Sequence, residues 1–163
     1  MNLTTRTATP EDTAKMAALL EELFSIERDF TPEMEKQLSG LNMLISSGAN
    51  SRVFVAEAAD GVVGMVTGQL LISTAEGGKV VLVEDLIVEK QFRGTGVGAQ
   101  LLKEVEVWAE SVGATRLQLL ADKDNGPAEK FYTNSGWVKT NLICLRKTGG
   151  QSNLCPGRSE LQK

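Results

Sequence analysis

The chain has 163 residues with a formal net charge of −4, two cysteines and no histidine. Its length and apolar content suffice for one sizeable core, so we expect one globular domain. The acidic balance argues against a nucleic-acid-binding protein, which usually carries a basic patch. We expect neither a membrane span, because no apolar run approaches ~20 residues, nor a secretory signal. Two cysteines make no disulfide framework, which favours a cytoplasmic protein.

The N-terminal half predicts a short strand, two helices and a hairpin. Alternation favours a first strand within residues 3–7. The stretch 9–12 begins a helix, since Thr can cap, Pro suits the first turn and acids favour the positive end. The same start signal opens a second helical region over 31–48, which ends at a glycine. Strands over 53–56 and 62–72 follow, joined by an Asp-Gly turn.

The C-terminal half predicts alternating strands and helices around a central apolar strand. We expect a strand over 79–88, a helix from the following glycines to Gly113, a strand over 117–121, a helix over 126–135, and one or two final strands within 137–146. Cys144 lies in that last pattern and is expected to be a small core residue. Residues 148–163 are polar and are expected to form a mobile tail, so the domain spans 1–147.

A glycine-rich stretch, Arg93-Gly94-Thr95-Gly96-Val97-Gly98, joins the central strand to the next helix. Such a turn brings backbone N–H groups and the positive helix end to one point, which favours a phosphate group. It is not a P-loop, because Ala99 and Gln100 follow the glycines where a lysine is needed. The spacing does not fit the dinucleotide fingerprint either, although Asp122 and Asp124 keep nucleotide binding open as an alternative.

The spacing Arg93-x-x-Gly96-x-Gly98 resembles the acyl-CoA loop of the GNAT N-acetyltransferases. The segment 125–137, Asn-Gly-Pro-Ala-Glu-Lys-Phe-Tyr-Thr-Asn-Ser-Gly-Trp, is similar to that family's Asn-x-x-Ala-x-x-Phe-Tyr-x-x-x-Gly-aromatic segment. The two motifs occur in the family's order, and the resemblance covers roughly residues 1–147. It implies an α/β GNAT fold: a mixed, mostly antiparallel twisted sheet of about six or seven strands with about four helices.

This resemblance implies an acyltransferase that moves an acetyl group from acetyl-CoA to a primary amine. The string 83–88, Val-Glu-Asp-Leu-Ile-Val, resembles diamine and polyamine N-acetyltransferases, and residues 22–30 place acids and aromatics where the family builds its acceptor site. A small cationic acceptor is therefore expected, with direct attack in a ternary complex, because no histidine activates a cysteine. We expect a homodimer without metal, nucleic-acid or membrane partners. A protein or peptide acceptor and a non-catalytic CoA-binding regulator remain alternatives.

Tyr132 is the chain's one tyrosine and the candidate general acid. A phenol with a pKa near 10 can protonate a departing thiolate of comparable basicity. The resemblance places Tyr132 at the position of the family's usual acid. Its helix face also carries Ala128, Phe131 and Ser135, so a plain core position is the alternative.

Glu84 is the candidate base. An acid within an apolar strand is costly unless it is paired or faces a cleft, and partial burial raises a carboxyl pKa toward the range useful in catalysis. In the polyamine enzymes that this strand resembles, the matching glutamate is proposed to take the amine proton through water. Asp85 points to the other sheet face if the strand is regular, but a bulge would upset that alternation. Glu84, Asp85 and a mechanism without a dedicated base therefore stay open.

The resemblance also implies the residues that bind CoA. The backbone of Leu86, Ile87 and Val88 would hold the pantetheine arm, and the loop from Arg93 to Gly98 would bind the pyrophosphate. Helix N–H groups should contribute more than the Arg93 side chain, because they are already ordered; that side chain could equally be solvated. Asn125 can cap the next helix and, by the resemblance, also contacts the CoA arm.

Overall fold

One mixed sheet organises the computed structural model, which describes residues 3–27 and 29–147. Within those residues the strand order is β1-β2-β3-β4-β5; β4 and β5 pair in parallel and the other neighbours are antiparallel. The strands are β1 (Thr4–Thr7), β2 (Ser51–Ala58), β3 (Gly61–Ser73), β4 (Gly78–Val88) and β5 (Ala114–Leu119). The helices are α1 (Thr13–Ile26), α2 (Met34–Ser46), α3 (Val97–Ser111) and α4 (Gly126–Asn134). The predicted fold class is confirmed.

The predicted strands within 137–146 are wrong. The chain forms no regular strand there, and four of its apolar side chains are between 81% and 86% exposed: Val138, Leu142, Ile143 and Leu145. Cys144 is also exposed rather than part of the core. The described sheet therefore has five strands instead of six or seven. Apolar, β-branched composition favours a strand only where a pleated, half-buried neighbour is present. The predicted tail, 148–163, lies outside the described residues.

Both faces of the sheet are covered by helices. On one face α3 buries Leu101, Val105 and Trp108, as its helical periodicity predicted. On the other face α1 and α2 bury Met16 and Leu41. None of the helices in the described ranges has the length and apolar character to cross a bilayer. Because both faces are occupied, a ligand can reach the sheet only at its edges and at the ends of its strands.

A β-bulge interrupts β4 at Asp85. Thr67 of β3 pairs with Glu84, but Met65 pairs with Ile87, so two residue steps on β3 oppose three on β4. Asp85 has a φ of 57°, which is rare for a residue other than glycine. The extra residue disrupts the ladder locally and bends the strand.

The bulge reverses the side-chain alternation of β4. Before it, Val81 and Val83 pack in the cluster formed with α3. After it, Val88 joins that cluster, whereas Ile87 packs on the opposite face with α1 and α2. A regular strand would have placed Ile87 with Val83, because side chains alternate with a period of two.

Beyond Val83, β4 separates from β5. The parallel ladder ends where Val83 lies opposite Leu119. Pairing with β3 continues to Val88, which lies opposite Gly64. The β4 edge over 84–88 therefore has no strand beside it on the β5 side within the described residues, and a gap opens between the two strands.

Burial at the bulge makes the ionised form of Asp85 costly. Thr67 Oγ1 donates a hydrogen bond to Asp85 Oδ2 at 3.2 Å. Desolvation raises the pKa of Asp85 from 3.8 to about 6, and the charge of Glu84 adds to the rise. Because the pKa of Asp85 is higher in the folded state, its burial does not destabilise the fold at low pH, where the carboxyl group is protonated. The destabilisation of the folded state grows as the pH rises from 3.8 to about 6 and is complete above that range.

We expect Asp85→Asn to raise the free energy of unfolding by roughly 1–3 kcal/mol at pH 7.5, and by much less at pH 4.5. The magnitude follows from the raised pKa of Asp85, because a shift of one pKa unit corresponds to about 1.36 kcal/mol. Asparagine has nearly the same shape and also tolerates positive φ. Urea unfolding at both pH values measures the effect. Asp60→Asn, in the exposed turn between β2 and β3, is the matched control and should show no such pH dependence. An equal gain at both pH values would contradict the assignment to charge burial.

Candidate active site

A small cavity of about 40 Å³ lies where β4 and β5 separate. Its walls come from α1, β4, β5 and α4, which are distant in sequence. The lining residues are Leu23, Glu27, Val83, Glu84, Asp85, Leu86, Leu119, Leu120 and Tyr132. The two predicted catalytic residues, Tyr132 and Glu84, are therefore brought to one cavity, together with the alternative base Asp85.

Three carboxylates make the cavity acidic. Glu84 is exposed, and its Oε2 accepts a hydrogen bond from Gln69 Nε2 at 2.9 Å. Asp85 enters the same cavity because the bulge removes the alternation that would separate it from Glu84. Glu27, directly after α1, is partly buried; desolvation raises its pKa and the charge of Asp122 adds to the rise. This concentration of negative charge in a poorly hydrated space favours a cation.

In the sequence, Glu27 is one of several acids within residues 22–30. Its residue type and spacing carried no stronger signal, because a glutamate at a helix end is usually solvated. The fold places Glu27 in the cavity wall with Leu23, one helical turn earlier. Its importance follows from where α1 packs on the sheet, which residues 22–30 do not determine by themselves.

Tyr132 both packs in the core and faces the cavity. Its ring makes edge-type contacts with Phe131 and Trp137, with centroid distances of 5.3 and 6.1 Å. Desolvation raises the pKa of Tyr132 to about 12, and the charge of Glu27 adds to the rise. The phenol therefore keeps its proton at neutral pH. The two interpretations of Tyr132 are compatible, because one ring edge can pack while the other lines a cavity.

The glycine-rich stretch forms a turn that ends at the start of α3. Gly94 and Gly96 have φ values of 74° and 93°, which favour glycine. Gln100 N–H donates to Gly96 O at 3.1 Å. The N–H groups of residues 97–99 therefore precede the first helical hydrogen bond and are available to a ligand. Together with the helix dipole they make a cradle for an anion.

Gly98 brings α3 close to α4. A Cβ atom built on Gly98 would lie 3.3 Å from Phe131 Cζ. Phe131 precedes Tyr132, so this close approach relates the start of α3 to the position of the phenol. Thr95 Oγ1 donates to Phe92 O at 2.6 Å and stabilises the turn before Gly96.

Arg93 and Asn125 make hydrogen bonds within the protein. Arg93 Nε donates to Val88 O at 2.7 Å, and its Nη2 donates to Glu22 Oε1 at 2.6 Å. The Arg93 side chain thus connects the end of β4 with α1 and is not simply solvated. Asn125 Oδ1 accepts from Ala128 N–H at 3.1 Å, so its predicted capping of α4 is confirmed.

The gap and the cradle fit the two polar parts of an acyl-CoA. The backbone of residues 84–88, which includes Leu86, Ile87 and Val88, offers a strand edge to an arm that contains amides. The N–H groups at the start of α3 suit a pyrophosphate. Within the described ranges, no group of three His, Cys, Asp or Glu residues could hold a metal ion.

Known proteins resemble this chain in sequence over most of its length. The model of the acetyltransferase (GNAT) family matches residues 16–137. An aminoglycoside N(6')-acetyltransferase type 1 from Stenotrophomonas maltophilia is 33% identical over 144 residues, which cover 86% of this chain and 89% of that protein. An aminoalkylphosphonate N-acetyltransferase from Salmonella typhimurium is 27% identical over 137 residues, covering 84% and 86% respectively.

The fold is also shared with solved structures. An aminoglycoside N-acetyltransferase in complex with CoA matches with a TM-score of 0.78 at 17% identity, over 90% of this chain and 95% of that chain. The structural likeness shows the shared fold, and the sequence matches show that the chain belongs to the same family as these enzymes. The chain belongs to the acetyltransferase (GNAT) family and is an acetyl-CoA-dependent N-acetyltransferase.

Proposed function

We propose that the protein acetylates a primary amine on a small cationic molecule by direct attack in a ternary complex. The observation that carries this proposal is the acidic cavity between β4 and β5, where Glu27, Glu84 and Asp85 lie with Tyr132. Its volume of about 40 Å³ exceeds the ~10–15 Å³ that a cavity needs to hold one water-sized group. It can therefore admit an amino group while the rest of the acceptor stays outside. Relatives named for aminoglycosides and aminoalkylphosphonates support a small acceptor.

Acetyl-CoA supplies an activated acyl group with a thiol leaving group. We propose that the backbone of Leu86, Ile87 and Val88 binds its pantetheine arm, because this edge of β4 is unpaired on the β5 side. The turn from Arg93 to Gly98, which includes Gly94, Thr95, Gly96 and Val97, would hold the pyrophosphate through the N–H groups at the start of α3. Asn125 would keep its capping bond and contact the arm with its remaining amide hydrogens.

Glu84 is the proposed base. Its exposed carboxylate can accept the amine proton, directly or through water, and release it to solvent. Asp85 is the second candidate, because its pKa, raised by burial to about 6, lies near the pH at which a base is useful. The charge of Glu84 adds to the raised pKa of Asp85, so substitution of each residue has to separate their roles.

Tyr132 is the proposed acid. Its phenol, protonated at neutral pH, would donate its proton to the departing sulfur. The raised pKa alone would disfavour this transfer, because a weaker acid gives up its proton less readily. The same desolvation also makes a thiolate in the cavity more basic, which offsets the effect. The Tyr132 phenol therefore stays protonated until negative charge develops on the departing sulfur.

We also propose a cytoplasmic homodimer. Strand β5 lies at the end of the described sheet and offers an unpaired edge. The exposed apolar side chains of residues 138–145 would be covered by a second copy. Sedimentation at micromolar concentration should give about twice the 17.5 kDa chain mass, and a monomer would contradict the dimer. Cell fractionation tests the location.

An acceptor screen tests the proposed activity. We expect polyamines and aminoglycosides to be acetylated with kcat/KM about tenfold or more above peptides that present one amine, because the acidic cavity attracts multiply charged cations. Release of CoA thiol measures the reaction, and added salt should reduce the preference. Preference for peptides would favour a protein acceptor. CoA binding without turnover of any acceptor would favour the regulatory alternative.

Tyr132→Phe should lower kcat by about 10²–10⁴-fold, because it keeps the ring but removes the proton. CoA affinity, measured by calorimetry, should barely change. Trp137→Phe is the control, since it alters a ring that packs on Tyr132 without removing the phenol; it should retain most of kcat. An unchanged kcat in Tyr132→Phe would end the assignment, whatever happens to the thermal midpoint.

Glu84→Gln should reduce kcat/KM by about 10²-fold at neutral pH and flatten the acidic limb of its pH profile. Asp85→Asn, the matched neutral substitution next to it, should shift that limb and keep more activity. CoA affinity should persist in both variants. The reverse ranking would assign the base to Asp85. A wild-type profile in both variants would mean that the amine enters already neutral.

A further inference from the structure

We propose that Glu22 is a positioning residue that couples the acyl-CoA turn to the acceptor cavity. Its Oε1 accepts a hydrogen bond from Arg93 Nη2, and Arg93 Nε donates to Val88 O. One arginine thus connects α1 with the end of β4 and with the turn that opens onto α3. The effect of this coupling on acetylation rests on the proposed function. Its physical basis is the hydrogen-bonded link from Glu22 through Arg93 to Val88.

A second ion pair attaches α1 to the residue that directly follows β4, four positions before Arg93. Lys15 Nζ pairs with Glu89 Oε1, and Lys15 lies seven residues, or about two helical turns, before Glu22. The two pairs have opposite polarity: α1 contributes a cation at Lys15 and an anion at Glu22. Sliding α1 along the turn would bring like charges together, so the pairs favour one register.

The helix then continues from Glu22 directly into the cavity wall. Leu23 is the next residue, and Glu27 N–H donates to Leu23 O at 3.1 Å. Both Leu23 and Glu27 line the cavity. A ligand that orders the turn at Arg93 should therefore also restrain the end of α1 and hold the acidic wall in place. By reciprocity, an acceptor that restrains this wall should strengthen CoA binding by the same factor.

The coupling should be modest in size. The side chains of Arg93 and Glu22 are 41% and 40% exposed, and exposed ion pairs are screened by solvent. We therefore expect loss of Glu22 to change ligand affinities by about two- to fivefold while the protein stays folded. The wild type and a Glu22 variant should therefore differ mainly in which residues a bound ligand protects from amide hydrogen exchange.

Hydrogen exchange with CoA as the probe tests the proposal without a known acceptor. In the wild type, CoA should slow amide exchange in residues 88–98 and also in residues 20–27. Glu22→Gln should keep the protection in 88–98 and lose most of it in 20–27. Glu21→Gln removes a neighbouring exposed carboxylate from the same helix and should behave as the wild type. Glu22→Asp keeps the charge and should restore part of the protection.

The proposal is wrong if CoA protects only residues 88–98 in the wild type, or if Glu21→Gln and Glu22→Gln lose protection equally. Once an acceptor is found, Glu22→Gln should raise its KM by about two- to fivefold and leave kcat at saturation unchanged; a fall in kcat alone would contradict a positioning role. Coupled protection in a wild type that acetylates no amine would overturn the proposed function and leave the coupling intact.

Discussion

The separation of β4 from β5 is the constraint on which the site depends. Backbone N–H and C=O groups in a sheet interior need partners, and parallel strands supply them only while they stay adjacent. Here the ladder ends at Val83 and Leu119, whereas pairing with β3 continues to Val88. Within the described residues, the edge over 84–88 therefore has no strand beside it on the β5 side. The same gap also provides the cavity, so the proposed sites for CoA and for the amine share one structural origin.

The bulge at Asp85 gives that gap its chemistry and makes the fold less stable. It places two adjacent carboxylates, Glu84 and Asp85, in one cavity, which a regular strand could not do. The cost is visible in the positive φ of Asp85 and in its raised pKa. Strain and buried charge of this kind persist where the surrounding structure holds them, and they are concentrated at functional sites. Thr67, fully buried on β3, donates the hydrogen bond that partly offsets the cost.

The sequence by itself determined most of the local elements and the family. Glycines at 94 and 96 specify a turn through backbone conformations that other residues rarely adopt, and the helical stripe after them specifies α3. Both are local properties, encoded within a few neighbouring residues. The resemblance of the glycine stretch and of segment 125–137 to the GNAT acetyltransferases is confirmed by the match to the family model. The roles predicted for Tyr132 and Glu84 stay predictions, although the fold places both at one cavity.

Only the tertiary structure decided how distant residues meet. The position of Asp85 depends on the register between β4 and β3, which no alternation within β4 reveals. Arg93 binds Glu22, which lies 71 residues away, and Glu27 reaches the cavity because α1 packs on the sheet. The stretch 137–146 has the composition of a strand but forms none in the described structure. Strand pairing, ion pairing and burial are relations between segments far apart in the chain, so they arise only when the chain folds.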